Sequence, residues 1–148
     1  MIIALPMGEK NGASQPLEST YGPLEIRVLE ALWARTSPSC VRDIQPDFPG
    51  VAYTTLMTTL DRLFRKGTLV RHKSGRAFFY RPKTTQRQLI SELAGSTFAT
   101  LLPVDAETMR PIMSMFVDTI GERDQNLLDE LEELVRARRA ELRRQAAK

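Results

Sequence analysis

Mainly α, with one small β hairpin set after the third helix and further helices beyond it, is the fold class that this 148-residue sequence predicts. Three observations carry the prediction. Residues 51 to 66, V-A-Y-T-T-L-M-T-T-L-D-R-L-F-R-K, place Leu56, Leu60, Leu63 and Phe64 at i, i+4, i+7 and i+8, one buried stripe at 3.6 residues per turn. Two shorter apolar patterns of helical period precede that stretch. Two strand-like runs follow it, joined across Ser74-Gly75.

Taken in order, residues 1 to 18 hold Pro6, Gly8, Gly12 and Pro16 among polar residues without periodicity, so they are expected to form a flexible arm. The domain proper is expected over residues 19 to 82. Gly22-Pro23-Leu24-Glu25 offers a cap, a proline at the first helical position and an acid in the first turn. Behind it, Leu24, Val28, Leu29, Leu32 and Trp33 keep helical spacing, giving a first helix that ends near Thr36, with Trp33 on its core side. Ser39 is the expected cap of a short second helix carrying Val41 and Ile44. Pro46 limits that helix, since proline disfavours helical geometry at Gln45 and has no amide to donate. Asp47-Phe48-Pro49-Gly50 turns the chain into the third helix, which Gly67 closes as a left-handed cap. Strands are expected at Thr68 to Lys73 and Arg76 to Arg81. Three helices and a hairpin in this order make a winged helix-turn-helix.

The exposed side of the third helix is chemically distinctive. Thr54, Thr55, Thr58 and Arg62 lie opposite the leucines, and threonine hydroxyls and methyls with an arginine suit base edges and phosphates in a major groove. Charge supports this. From Leu17 to Pro82 there are ten Lys or Arg against six Asp or Glu, whereas Val104 to Lys148 has eight against ten. Arg62, Arg65, Lys66, Arg71, Lys73, Arg76 and Arg81 follow Asp61 without an intervening acid, a footprint fitted to phosphates.

Other classes find little support. One cysteine, Cys40, and one histidine, His72, give no cluster with metal-ligand spacing, so neither a structural metal nor a cofactor is expected. The acids are dispersed and no nucleophile, acid and base converge, so the chain does not read as an enzyme. No apolar run approaches a spanning helix and the start lacks a secretory pattern, so the expected location is the cytoplasm.

Several separated blocks carry a resemblance to a known family. Leu24-Glu25 with Val28-Leu29 and Leu32-Trp33, then Ala52-Tyr53-Thr54-Thr55 through Leu60-Asp61-Arg62-Leu63, Lys66-Gly67, Gly75-Arg76 and Tyr80-Arg81-Pro82, resemble the penicillinase-repressor (BlaI/MecI-like) family over about 60 residues. The resemblance implies a homodimeric transcriptional repressor of an inverted-repeat operator in double-stranded DNA. It implies groove contacts from Tyr53, Thr54, Thr55, Thr58 and Arg62. With the wing geometry, it makes Arg65, Lys66, Arg71, Lys73 and Arg76 the expected backbone contacts.

Residues 83 to 148 follow the family's helical dimerisation region in pattern. Leu101 and Leu102, then Phe116, then Leu127, Leu131 and Leu134 fall on apolar stripes too long for so little surrounding chain to bury, and a partner subunit would cover them. The resemblance also implies release by cleavage in this region, set off indirectly by a membrane sensor protease. The matching bond is Met115-Phe116, where the family's Phe is present and its Asn is absent. The alternative is a winged-helix module for protein interaction, because a fold does not fix its use.

Overall fold

The computed structural model describes residues 15 to 148 and runs through seven α-helices and one hairpin. These are α1 (Gln15–Thr20), α2 (Pro23–Trp33), α3 (Val41–Ile44), α4 (Tyr53–Arg65), β1 (Leu69–Ser74), β2 (Ala77–Pro82), α5 (Gln86–Leu101), α6 (Ala106–Arg123) and α7 (Asn126–Ala146). The mainly α fold with a small β wing is thus present. The described chain forms two compact units, one through Ala99 and the other from Thr100 to Lys148.

In the first unit, Val28, Leu29 and Leu32 of α2, Val41 and Ile44 of α3, Leu56, Leu60 and Leu63 of α4, Leu69 and Tyr80 of the hairpin and Leu89 of α5 form one core. Leu89 explains why the first unit runs on past Pro82, the sequence-based boundary: the start of α5 closes the core. Trp33 packs against this core, half-buried, and its Nε1 donates to the Thr84 carbonyl at 3.0 Å.

Four local expectations are corrected. Residues 1 to 14 of the expected arm lie outside the described residues, but residues 15 to 18 are helical, because Leu17 is 2% exposed and anchors α1 on the core. Helix α2 stops at Trp33 rather than near Thr36. Ser39 is not the cap of α3. It pairs instead with Tyr80 as an isolated bridge, amide to carbonyl at 2.9 Å in both directions, and Cys40 caps the helix. Asp43 reaches back to the Cys40 amide at 2.8 Å, and that amide holds the Asp43 carboxyl below its ordinary pKa. The hairpin turn is Gly75-Arg76, one residue later than Ser74-Gly75, since Ser74 pairs with Ala77. Gly75 has φ +63° while no residue other than glycine has positive φ among those described, the pattern of a type II′ turn.

Pro46 is absorbed in a single 3-10 turn, Gln45–Asp47, directly after α3. Gly67 ends α4 as expected, at φ +80°. Its amide donates to Phe64 O and that of Thr68 to Leu63 O, both at 3.0 Å, so the helix passes into the hairpin through a Schellman motif.

In the second unit, Asp105 caps α6 by accepting from the Thr108 amide at 2.8 Å, and this bond lowers the Asp105 pKa. Helices α6 and α7 pack as a pair. At Gly121 an added Cβ would stand 3.1 Å from Leu128 Cδ1, so the missing side chain sets how closely the two approach. Leu101, Phe116, Leu127 and Leu134 are exposed, Leu134 at 67%, and Leu102 and Leu131 are half-buried.

Candidate nucleic-acid interface

Helix α4 has two chemically opposite sides. Leu56, Leu60 and Leu63 are fully buried and Thr59 nearly so, which fixes the helix on the core and turns Tyr53, Thr54, Thr55, Thr58 and Arg62 outward. The hydroxyl of Thr58 donates to the Thr54 carbonyl at 2.9 Å and that of Thr59 to Thr55 at 2.8 Å. With its proton committed, Thr58 offers lone pairs and a methyl. In that rotamer the group accepts from exocyclic amines and packs on thymine methyls.

The cations divide into two sets. Lys66 is tied to Glu25 at 3.0 Å, with the Tyr21 ring 5.0 Å beneath its ammonium. Arg71 bonds Asp61 at 2.9 Å and lies between the Phe64 and Phe78 rings, 4.0 and 4.1 Å from their centroids. It thereby joins β1 to α4. Arg65 also bonds Asp61, at 2.8 Å, from an exposed position one turn further on. By contrast, among the described residues no carboxylate is paired with Arg62, Lys73 or Arg76, and all three are exposed.

A groove between α3, α4 and the hairpin is lined by Arg42, Tyr53, Met57, Arg76 and Phe78, with Cys40 at its edge. Met57 and Arg42 were not among the expected contacts. Met57 is 46% exposed and lies one turn after Tyr53 in this groove, whereas Thr54, Thr55, Thr58 and Arg62 face a separate cleft beside residues 22 to 25, and the sequence signal for Met57 is a large apolar residue off the leucine stripe. Arg42 gave no such signal, because only the folded chain brings α3 beside the wing.

No group of His, Cys, Asp or Glu among the described residues could hold a metal ion, and no described helix is long and apolar enough to cross a membrane. A helix buried along one side, a short helix before it and a paired hairpin after it define a winged helix-turn-helix.

The penicillinase repressor family model matches residues 21–137. The transcriptional regulator BlaI of Mycobacterium tuberculosis, in each of two strains, is 31% identical over 103 residues, covering 68% of this chain and 73% of the relative. Among solved structures, a MepR mutant from a multidrug-resistant S. aureus clinical isolate aligns with TM-score 0.46 and 16% identity, over 86% of this chain and 87% of that one. A transcriptional regulator from Thermotoga maritima aligns with TM-score 0.45 and 19% identity, over 92% and 87%. The chain belongs to the penicillinase repressor family of transcriptional regulators.

Proposed function

We propose that the chain is a cytoplasmic, non-enzymatic, homodimeric repressor that binds an inverted repeat in double-stranded DNA. In this reading Tyr53, Thr54, Thr55, Thr58 and Arg62 enter the major groove, Lys73 and Arg76 meet the backbone from the wing, and Arg65 adds a contact at the edge. One observation carries the reading: α4 buries every leucine of its stripe while its outer side and the hairpin tip hold Arg62, Lys73 and Arg76, none of them paired with a carboxylate among the described residues. Lys66 and Arg71, engaged inside the domain, act as struts rather than phosphate ligands.

Two copies are required because one winged helix spans only a few base pairs, and symmetry sets half-sites about 10 bp or a multiple apart. The dimer forms through residues 83–148, with Leu101, Leu102, Phe116, Leu127, Leu131 and Leu134 against the second copy. Footprinting on inverted repeats upstream of the chain's own coding region tests the proposal. Protection of a two-fold site that is lost in Thr58→Ala and Arg62→Ala, with folding intact, is the expected result. Unchanged binding in both variants favours the protein-interaction alternative.

Release is proposed to follow cleavage of Met115-Phe116, triggered indirectly by a membrane sensor protease. Both residues lie in α6, and Met115, which is not among the residues set against the second copy, is 67% exposed. Pro111, inside the same helix, has no amide to donate to the preceding turn, which eases the opening that a protease needs. Mass mapping of the protein from induced cells tests this: intact chain throughout refutes it.

A further inference from the structure

The two halves of α7 carry opposite charge. From Asn126 to Val135 stand Asp129, Glu130, Glu132 and Glu133 with no cation; from Arg136 to Ala146 stand five arginines and Glu141. The helix dipole favours acids in a first turn and bases in a last one. It does not account for Glu132, Glu133 and Arg136, which lie well inside the helix. Along the same helix Leu127, Leu131, Leu134, Val135 and Leu142 fall within an arc of about 100°, which also holds Arg138, its charge met by Glu141 of the same helix at 2.8 Å, and Leu127, Leu134, Val135 and Leu142 are exposed.

We infer that α7 pairs antiparallel with α7 of a second copy, about a two-fold axis near Arg136. The inference rests on the dimer proposed above and adds its direction and register. A parallel pair would set acidic half against acidic half and basic against basic, whereas reversal sets each acidic half against a basic one. The flanks of the apolar arc agree on the register. Glu132 and Arg139 border it on one side, and their midpoint falls between Val135 and Arg136. Glu130 and Arg144 border it on the other, and their midpoint falls at Ala137. One axis therefore brings both acids opposite cations of the second copy. Glu132 already holds Arg136 of its own helix at 2.6 Å, which pre-orders that carboxylate. Arg139 and Arg144 lie beyond residue 137, where the family match stops, while α7 continues to Ala146.

Cysteine cross-linking in the full chain, with Cys40→Ser as background, tests direction and register. An axis near Arg136 places Leu127 beside Gln145 of the second copy, and sets two copies of Leu127 roughly 27 Å apart at 1.5 Å per residue, far beyond disulfide reach. Val135→Cys should link to itself. Leu127→Cys and Gln145→Cys should each fail alone and link when mixed. Sedimentation of each variant reports the dimer separately. Self-linking of Leu127→Cys and Gln145→Cys overturns the antiparallel arrangement and leaves the dimer standing, as does a dimer with no link at any site. A monomer at all concentrations overturns the dimer and the arrangement together. As a second measure, Glu130→Lys with Glu132→Lys should weaken the dimer roughly tenfold, and Arg139→Glu with Arg144→Glu should restore it. Loss without restoration counts against the register.

Discussion

The division of the cations into paired and unpaired sets predicts which of them a salt titration will detect. Each phosphate contact contributes about 0.9 to the slope of log affinity against log salt. Lys73 and Arg76, the unpaired cations assigned to the backbone, give two phosphate contacts per subunit, hence four per dimer and a slope of roughly −3.6. Arg76→Met removes two contacts per dimer and should lower the slope by about 1.8, so that its affinity falls roughly 12-fold less than that of the parent between 50 and 200 mM salt. Arg71→Met should behave differently. Its guanidinium is already held by Asp61 and by two aromatic rings, so no phosphate contact is lost at that residue. Its loss should appear instead as a lower unfolding midpoint, because the hairpin loses its tie to α4. Filter binding or fluorescence anisotropy on one operator duplex across that salt range, with thermal unfolding of the same samples, makes the comparison. A slope for Arg71→Met reduced as much as that for Arg76→Met, with unchanged unfolding, would refute the reasoning.

Further outcomes follow from the packing. Leu60→Ala, at a fully buried position of α4, should lower stability by about 2–5 kcal/mol in urea unfolding. Gly67→Ala forces a Cβ into the left-handed region at φ +80° and should cost about 1–2 kcal/mol, read in the same assay. Gly121→Val meets Leu128 at close range and should loosen the α6–α7 pair, seen as faster amide exchange in the first turns of α7. Asp105 has a lowered folded pKa, so its cap is fully present above the ordinary carboxylate range and is lost only as pH falls through that lowered value. Exchange of the Thr108 amide should therefore quicken below that range and not above it, and Asp105→Asn should blunt the change.

The leucine stripe, the Gly67 cap and the order of elements were legible because each depends on neighbours within one or two turns. What the sequence did not disclose was pairing across the fold. Arg71 stood in an acid-free run, yet its acid lies before the run, at Asp61, and only hairpin formation brings the two together. Lys66 is the same case with Glu25. The turn was misplaced by one residue because Ser-Gly and Gly-Arg both satisfy a two-residue loop, and only the register from Leu69 with Pro82 to Ser74 with Ala77 separates them. Ser39 had the chemistry of a cap, but Tyr80 recruited its backbone.

That Ser39–Tyr80 bridge bears on the order in which the domain assembles. A two-stranded hairpin closes within about 1–10 μs but is marginal by itself in water. Here its lasting support comes from a segment some forty residues earlier, and closing a loop of that length carries an entropic penalty of roughly 3 kcal/mol beyond a constant. Only the collapse of α2, α3 and α4 onto their shared core can offset it. During synthesis, then, the chain can release α4 well before it can complete the hairpin, and the groove between α3, α4 and the hairpin exists only after the last strand has returned to Ser39.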